Sequence, residues 1–336
     1  MNSQKIKSET GTSSLQTVII TGGNSGLGLA CANTLLTGKI PLQVVIACRD
    51  TVRANTAIDK LKKVITNGSR VEAIQLDLAS LASVRAFAKE VEQRLKDGSL
   101  APLYGIVCNA GTQGKKRFTT DGFEETFGVN HLGHFLLVNL LLPLLKNSGR
   151  IVVVASGVHD PVQLALVPSA SVPAPAWNAI KELAKGNLGL EAANDDEPAD
   201  IGRRYSTSKL ANVYFTYGLA SRLPEGITVN AFDPGLMPGT GLAREYSPMM
   251  RFMWYHIMPN ILPLLRWLVV KNVHSPKESG AALARLIIDP ALKNSNGLYF
   301  EGLKEIRSSV ASYDTIRIDE LWKSSALLTG LSQPLV

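Results

Sequence analysis

The sequence predicts an α/β protein with a doubly wound parallel sheet. Two observations support this: short apolar, β-branched runs alternate with longer helical patterns, and a glycine-rich turn directly follows the first run. Strands joined by helices must run parallel, because each crossover returns the chain to the same end of the sheet. Ligands of such sheets bind outside the carboxyl ends of the strands, where the chain order reverses.

The predicted elements cover most of the chain. The strand-like runs are residues 17–21, 42–47, 71–76, 104–108, 150–155, 227–232 and 297–300. Helical patterns fill the gaps and include residues 81–95, 123–146, 205–223 and 276–288. At 336 residues, one large α/β domain over residues 17–336 is expected, after a flexible tail of residues 1–16.

Two segments interrupt the alternation. Residues 161–204 are rich in Ala, Pro, Asn and Asp, and we interpret them as an insertion. Residues 236–275, the lid-like segment, are apolar and hold several prolines together with Met249, Met250, Met253, Trp254 and Trp267. Loops this long are uncommon unless they serve as lids or binding elements. For the lid-like segment, a packing layer or an oligomer contact is an alternative of nearly equal weight.

Composition and charge narrow the function classes. With 45% hydrophobic and 19% charged residues, the chain is typical of packed globular proteins. The net charge of +7 comes from scattered basic residues without a recognition motif, which argues against nucleic acid binding. Cys31, Cys48 and Cys108 lie too far apart for a disulfide framework or a four-thiolate metal site, so a reducing compartment fits best. His131 and His134 lack partner ligands in a recognisable zinc arrangement, and we predict no metal.

Membrane and targeting signals are weak. Residues 1–16 have no apolar core and are not a secretory signal. The apolar stretches 135–145 and 261–270 fall short of the ~20 residues needed to span a bilayer. A cytoplasmic location without a transmembrane segment is therefore expected. An interfacial membrane contact by the second stretch stays open.

A phosphate-binding turn is predicted after the first strand. Its residues are Thr21, Gly22, Gly23, Asn24, Ser25, Gly26, Leu27 and Gly28, with a helix beginning near Leu27. Glycines let the backbone approach a pyrophosphate, and the helix N-terminus supplies free N–H groups with partial positive charge. The context of strand, turn and helix that a dinucleotide site needs is present.

The second strand ends with Arg49 and Asp50, which indicate different cofactors. An acidic residue at this position binds a ribose 2′-hydroxyl, whereas arginine favours a 2′-phosphate. Adjacent side chains point differently, so only one of them faces the ribose. We favour Arg49 and therefore NADPH over NADH.

A proton-transfer pair is predicted on a later helix. Tyr205 opens a helical pattern and Lys209 follows four residues on, so the two side chains share one face. A free tyrosine has a pKa of about 10 and needs help to exchange protons near neutral pH. A neighbouring ammonium lowers that pKa because it stabilises the phenolate. By itself this spacing is common and also describes an exposed helical pair.

The motifs together resemble the short-chain dehydrogenase/reductase family, over residues 17–302. They are the glycine turn, Asn109-Ala110-Gly111 after strand four, Ser156 after strand five, and Tyr205 with Lys209, in the family's order. The resemblance implies a Rossmann-type fold and an oxidoreductase. It implies that Tyr205 is the general acid/base and that Lys209 lowers its pKa and holds the nicotinamide ribose.

The remaining roles also come from the resemblance. Ser156 would hydrogen-bond the substrate oxygen, and Asn130 would help hold a water for proton relay; a turn cap and an ordinary helical polar residue are the structural alternatives. Further cofactor contacts would come from Asp77 and Leu78 near the adenine, from Asn109, Ala110 and Gly111 on the nicotinamide side, and from Pro234 and Gly235.

Two motifs resemble one branch of the family, and one position departs from it. Ala47-Cys48-Arg49-Asp50 and the run from Asn130 to Phe135 resemble the branch with retinol dehydrogenases and light-dependent protochlorophyllide reductases, which act on bulky apolar substrates. The pigment reductases carry a cysteine after the Pro-Gly turn, where this chain has Leu236 and Met237. We therefore expect an NADPH-dependent enzyme that transfers hydride to or from an apolar carbonyl or alcohol. Light-driven C=C reduction and a catalytically silent NADPH-binding regulator are the alternatives; substrate, reaction direction and oligomeric state are not readable.

Overall fold

The computed structural model describes residues 15–165, 172–189, 197–241, 248–268 and 272–332. Its sheet has eight strands: β1 (Gln16–Thr21), β2 (Leu42–Cys48), β3 (Arg70–Gln75), β4 (Leu103–Cys108), β5 (Arg150–Val154), β6 (Thr228–Asp233), β7 (Leu298–Glu301) and β8 (Lys304–Ile306). The order is β3-β2-β1-β4-β5-β6-β7-β8, in which only the β7–β8 pair is antiparallel. The predicted parallel, doubly wound sheet is confirmed.

Helices connect and cover the strands. They are α1 (Gly26–Leu36), α2 (Thr51–Lys62), α3 (Leu81–Lys96), α4 (Glu125–Phe127), α5 (Gly133–Leu141), α6 (Pro161–Ala165), α7 (Ile180–Leu183), α8 (Pro198–Ala220), α9 (Pro248–Phe252), α10 (Leu262–Leu268), α11 (Pro276–Ile288) and α12 (Thr315–Leu328). A π-helical turn, Gly128–Leu132, joins α4 to α5, and another, Met253–Ile257, follows α9. The sequence patterns did not identify α12 or the three-residue strand β8, which is polar and carries little apolar signal.

The chain order reverses between β1 and β4. From β1 the chain moves outward through β2 and β3, and it then returns to the other side of β1 as β4. The loops after β1 and β4 therefore lead away from each other and leave a crevice at the carboxyl ends of these strands. The glycine turn lies on one side of this crevice, and Asn109 and Gly111 lie on the other.

Apolar side chains fill both faces of the sheet. Val18 and Ile20 of β1 pack with α1, α2 and α11, whereas Ile19 between them packs with α3, α5, α8 and α12. This alternation is the period of two that strand geometry imposes, and burial on both faces explains the continuous apolar runs. The site at the strand ends therefore rests on two rigid helical layers.

Helix α8 begins earlier than predicted. The sequence pattern started the helix at Tyr205, but α8 begins at Pro198, so that start was wrong. Proline fits the first turn because its missing N–H has no intrahelical partner there. Tyr205 and Lys209 consequently lie inside a long helix, and the helical turns before and after them fix their spacing.

The structure describes part of the predicted insertion, of the lid-like segment and of the N-terminal tail. The predicted insertion, residues 161–204, includes α6, α7 and the first residues of α8, while residues 166–171 and 190–196 lie outside the described ranges. The lid-like segment includes α9 and α10, and residues 242–247 and 269–271 lie outside. Of the predicted tail, residues 1–14 lie outside the described residues.

One helical stretch meets the length and composition of a membrane span. It is Glu125–Leu144, which is twenty residues long. Of the 18 residues that form its apolar stretch, 78% are buried inside the protein. The helical stretch lies within the helical pattern predicted over residues 123–146 and extends beyond the apolar stretch 135–145. Burial of this kind describes the core helix of a sheet layer, and no other such stretch occurs among the described residues.

Candidate active site

The glycine turn has the backbone geometry that close approach requires. Gly22 and Gly26 have φ values of 65° and 54°, in the left-handed region that favours glycine. A Cβ on Gly28 would lie 2.6 Å from Asn109 Nδ2 and 2.7 Å from the Gly22 carbonyl oxygen. Ser25 precedes α1 without a side-chain capping bond, so no side chain blocks the first-turn N–H groups from that position.

Thr21 ties the two sides of the crevice together. Its Oγ1 accepts hydrogen bonds from the Asn109 and Ala110 amides, both at 2.9 Å. Asn109 Nδ2 in turn donates to the Thr21 carbonyl at 2.7 Å. His134 Nε2 also forms a hydrogen bond of 2.9 Å with Thr21 Oγ1. The loop after β4 is thus fixed against the end of β1.

Arg49 and Asp50, which follow β2, have different surroundings. Asp50 caps α2, since Oδ1 accepts from the Arg53 amide at 3.0 Å and Oδ2 lies 3.2 Å from Arg53 Nε. Arg49 is exposed. Beside them, a hollow of about 190 Å³ lies between the glycine turn and α2, lined by Asn24, Ser25, Leu29, Arg53, Thr56, Ala57 and Lys60. Two cationic side chains therefore face the start of α1.

Asp77 and Leu78 follow β3. Asp77 Oδ1 accepts from the Ala79 amide at 3.0 Å, which is a local turn, as strand-end aspartates commonly form. Leu78 is buried, and a Cβ on Gly133 would lie 2.6 Å from its carbonyl oxygen. This close approach anchors the β3 loop on α5.

Lys209 and Tyr205 meet as predicted. Lys209 is 3% exposed, and its Nζ donates to the Val154 carbonyl at 3.0 Å and lies 5.5 Å from the centre of the Tyr205 ring. Asn212 Nδ2 shares the same carbonyl at 3.1 Å. Val154 ends β5, two residues before Ser156, so this contact places the ammonium beside the Ser156 loop. Burial lowers the pKa of Lys209 to about 8, and the Asp233 carboxylate opposes that shift.

Asn130 lies in the π-helical turn at the centre of the site. Its Oδ1 accepts from the Thr112 amide at 2.7 Å, and its Nδ2 donates to the Thr112 carbonyl and to Ser208 Oγ, both at 3.0 Å. A Cβ on Gly111 would lie 3.3 Å from Asn130 Oδ1 and 3.8 Å from Lys209 Nζ. Single π turns in helices are frequent at functional sites. We call Asn130, Ser156, Tyr205 and Lys209, the residues predicted to carry the proton chemistry, the catalytic corner.

Ser156 follows β5 and is half-buried. Its Oγ accepts from the Val158 amide at 3.5 Å, so the hydroxyl also caps the short turn Gly157–His159. The Ser156 carbonyl accepts from His159 Nδ1 at 2.7 Å, while His159 Nε2 accepts from the Ser309 amide. This buried histidine holds the backbone of the loop that carries Ser156.

The two helical histidines are packed in the interior of the protein. His131 and His134 are buried, and burial lowers the pKa of His131 to about 3 and that of His134 to about 4. His131 Nε2 bonds Ser325 Oγ at 2.8 Å, and His134 Nδ1 bonds the Asn130 carbonyl at 3.1 Å. Within the described ranges, no three His, Cys, Asp or Glu residues form a metal-binding group.

Gly235 makes a tight junction with the lid-like segment. Gly235 has a φ of 73°, and a Cβ there would lie 2.3 Å from Asn272 Oδ1. The Pro234 carbonyl accepts from Ser279 Oγ at 2.7 Å. The Leu236 amide then donates to the Asn272 carbonyl at 2.8 Å. Both ends of the lid-like segment are therefore bonded to each other beside β6.

Sequence reasoning missed three residues of the site. Ser208 accepts from Asn130 and donates to the Tyr205 carbonyl at 2.7 Å. Thr240 lies over the glycine turn, 3.9 Å from a Cβ built on Gly26, and its carbonyl accepts from Trp254 Nε1. Arg53 lines the hollow at the glycine turn. Arg53 and Ser208 lie close in sequence to the predicted residues Arg49 and Lys209, whereas Thr240 had no local signal.

The lid-like segment exposes apolar side chains. Trp254 is 4% exposed, but its neighbours Met249 and Phe252 are 71% and 59% exposed. Residues 248–268 hold two arginines and no acidic residue. Arg266 is paired with Glu278 at 2.6 Å, so the surface is apolar with one further exposed arginine, Arg251.

The comparisons identify the family. The short chain dehydrogenase family model matches residues 16–171. Retinol dehydrogenase 14 of Homo sapiens is 35% identical over 94% of this chain and 87% of that protein. The chloroplastic protochlorophyllide reductase of Chlamydomonas reinhardtii is 36% identical over 96% of this chain and 79% of that protein. The chain belongs to the short-chain dehydrogenase/reductase family, an oxidoreductase family, and the resemblance drawn from the motifs is confirmed.

Solved structures share the fold. An uncharacterized protein from Mycobacterium paratuberculosis matches with a TM-score of 0.62 at 28% identity, over 94% of this chain and 93% of that chain. The angucycline C-6 ketoreductase LanV, solved with bound NADP, matches with a TM-score of 0.58 at 21% identity, over 85% of this chain and 93% of that chain.

Proposed function

We propose that this protein is an NADPH-dependent oxidoreductase that interconverts the carbonyl and alcohol of a bulky apolar substrate. The observation that carries the proposal is the buried Lys209 ammonium beside the Tyr205 ring, held to the last carbonyl of β5. An ammonium in a dry site is a strong stabiliser of phenolate, because little water screens it. Tyr205 is thereby suited to exchange a proton near neutral pH.

The catalytic corner supplies the proton chemistry. When bound, NADPH provides the hydride that reaches the carbonyl carbon. Tyr205 delivers the proton to the carbonyl oxygen, Ser156 hydrogen-bonds that oxygen, and Lys209 stabilises the phenolate left behind. Asn130 holds the Thr112 loop against α8 and takes part in the route by which Tyr205 regains its proton.

The charge at the end of β2 supports NADPH. The Asp50 carboxylate is engaged by α2 and Arg53, which leaves Arg49 to face a 2′-phosphate. Arg53 and Lys60 add positive charge around the hollow at the glycine turn. A charge-assisted contact of this kind contributes about 1.5–3 kcal/mol.

The remaining predicted residues would hold the rest of the dinucleotide. The backbone at Gly22, Gly26 and Gly28 would hold the pyrophosphate, together with Asn24, Ser25 and Leu27. Asp77 and Leu78 would border the adenine. The nicotinamide would be bordered by Asn109, Ala110, Gly111, Pro234 and Gly235, and Lys209 would bind its ribose.

The lid-like segment supports an apolar substrate at a lipid surface. The names of two relatives refer to retinol and protochlorophyllide. Exposed Met249 and Phe252 with Arg251 between them form a surface that suits anionic lipid headgroups and acyl chains. We propose a cytoplasmic protein with a peripheral membrane contact at this segment.

The test is NADPH oxidation by the purified protein with apolar aldehydes, ketones and protochlorophyllide, in darkness and in light. Turnover in darkness that Tyr205→Phe reduces at least about a hundredfold supports the proposal. Unchanged turnover in that variant removes Tyr205 as proton donor. Arg49→Ala should raise the KM for NADPH about tenfold or more and leave that for NADH within about twofold, whereas Asp50→Ala serves as the matched control.

Light-driven reduction of protochlorophyllide is the second candidate, because the pigment reductase of Chlamydomonas reinhardtii is as similar as the retinol dehydrogenase. Leu236 and Met237 follow the Pro-Gly turn, and all three cysteines are buried elsewhere. Turnover that requires light would establish this candidate. NADPH binding without turnover of any substrate would instead favour a regulator.

A further inference from the structure

Asp233 is a buried carboxylate that the catalytic steps above do not use. It is the last residue of β6 and is 2% exposed. Its Oδ1 accepts from the Gly235 amide at 2.9 Å, and its Oδ2 accepts from Asn272 Nδ2 at 3.0 Å. Asn272 lies near the far end of the lid-like segment, so one side chain joins both ends of that segment to the sheet.

The same carboxylate lies against the Ser156 loop. The β5–β6 pairing sets Val154 opposite Phe232, which places Asp233 beside the residues that follow β5. A Cβ on Gly157 would lie 3.0 Å from Asp233 Oδ2, so the loop backbone packs directly on the carboxylate. His159 holds the Ser156 carbonyl from the other side.

The carboxylate also lies near the lysine, because Lys209 Nζ donates to the carbonyl of Val154 and Val154 pairs with Phe232, the residue before Asp233. Burial raises the pKa of Asp233 to about 6, so it is ionised at neutral pH, and its charge raises the pKa of Lys209 against the effect of burial. The other groups that interact with Asp233 electrostatically are Glu301, paired with it on β7, and the Tyr299 phenol. Among these groups that interact with Asp233, Lys209 is the one that carries a positive charge.

We propose that Asp233 is a positioning residue: it couples the far end of the lid-like segment to the Ser156 loop and provides the fixed negative charge behind Lys209. This rests on the proposed function. A carboxylate can hold a lid anchor, a catalytic loop and an ammonium at once because it offers several acceptor sites. An asparagine in its place offers fewer acceptors and no charge.

The first test is Asp233→Asn, with kinetics measured across pH. We expect kcat to fall about tenfold, KM to change less than about twofold, and the alkaline limb of the pH profile to move to lower pH. The limb moves because Lys209 loses its ammonium proton at lower pH without the neighbouring charge. Glu301→Gln is the matched control and should leave the limb in place. A limb that does not move in Asp233→Asn overturns the electrostatic role.

A second variant separates anchoring from charge. Combining Asp233→Asn with Asn272→Asp exchanges the two side chains and restores one donor–acceptor pair between them. We expect thermal stability to recover while kcat stays low, because the charge no longer lies behind Lys209. Full recovery of kcat in the double variant would show that Asp233 only anchors the lid-like segment, which contradicts the proposal.

Hydrogen–deuterium exchange distinguishes failure of this proposal from failure of the proposed function. The peptide that contains Gly157 should exchange at least about threefold faster in Asp233→Asn than in the parent or in Glu301→Gln. Faster exchange in Asp233→Asn, together with a parent protein that turns over no substrate, supports the coupling and refutes the proposed reaction. Unchanged exchange in an active parent refutes the coupling alone.

Discussion

The catalytic corner and the lid-like segment differ in how they hold their side chains. In the catalytic corner Asn130 and Lys209 are buried and hydrogen-bonded, whereas in the lid-like segment Met249 and Phe252 are exposed and Trp254 is a buried anchor. Buried polar networks are rigid and suit proton transfer over fixed distances. Exposed methionine-rich surfaces adapt to varied apolar partners. Under the proposed function, the sheet would set the reaction type and the lid-like segment the choice of substrate.

The largest expected effect concerns the catalytic corner, the buried and hydrogen-bonded region. Lys209→Met should reduce kcat/KM by about 10³-fold, because Tyr205 loses the charge that stabilises its phenolate. Lys323→Met, which changes an exposed lysine on α12, is the control and should leave activity within about twofold. Steady-state kinetics measure both. Equal activity of the two variants would place the proton donor elsewhere.

The next prediction compares buried and exposed histidines. Because His131 and His134 have folded pKa values of about 3 and about 4, against 6.5 unfolded, the unfolded chain binds more protons between these values. The free energy of unfolding should therefore fall by on the order of 3 kcal/mol for each of the two histidines as pH drops from about 6.5 toward 4. Urea denaturation at several pH values measures it. His131→Phe should flatten the dependence, whereas His256→Asn in the lid-like segment is the control, and an equal slope in all three proteins would contradict the assignment.

Gly28→Ala tests the close packing between α1 and the β4 loop. The added methyl meets Asn109 Nδ2 and the Gly22 carbonyl at under 3 Å, so the turn must shift. We expect a loss of about 2 kcal/mol in the free energy of unfolding and weaker NADPH binding. Gly38→Ala is the control, since its nearest contact would be 3.4 Å. Fluorescence titration with NADPH and thermal denaturation read the two effects, and unchanged binding would exclude the turn from the cofactor site.

Trp254→Ala tests the anchor of the lid-like segment. Without the buried indole and its bond to Thr240, we expect the KM for apolar carbonyls to rise about tenfold with kcat within about twofold. Trp254→Phe keeps a buried ring but loses that bond, so its effect should be smaller. Steady-state kinetics with long and short aldehydes would reveal the change, and a large fall in kcat would mean that the two regions are not separable.

The smallest effect on the folded protein is expected at the exposed surface. Met249→Ser combined with Phe252→Ser should change the free energy of unfolding by less than about 0.5 kcal/mol but weaken binding to phosphatidylglycerol-containing vesicles about tenfold. Ile316→Ser removes an equally exposed apolar side chain, 80% exposed on α12, and is the control. Vesicle sedimentation measures the binding. Retained binding in the double variant would rule out this surface as the lipid contact.

The sequence by itself determined the features that depend on neighbouring residues. The glycine turn needs positive φ values at Gly22 and Gly26, and the Tyr205–Lys209 spacing follows from the helical repeat, so both were readable before folding. The continuous apolar runs likewise required strands buried on both faces.

Only the tertiary structure decided how distant residues share the site. The π turn at Asn130 depends on contacts with Thr112 and Ser208, which lie 18 and 78 residues away in the sequence. Thr240 and Asn272 reach the crevice from the lid-like segment, through contacts with Gly26 and Asp233. Such long-range contacts arise from packing of the whole sheet, and no short stretch of sequence encodes them.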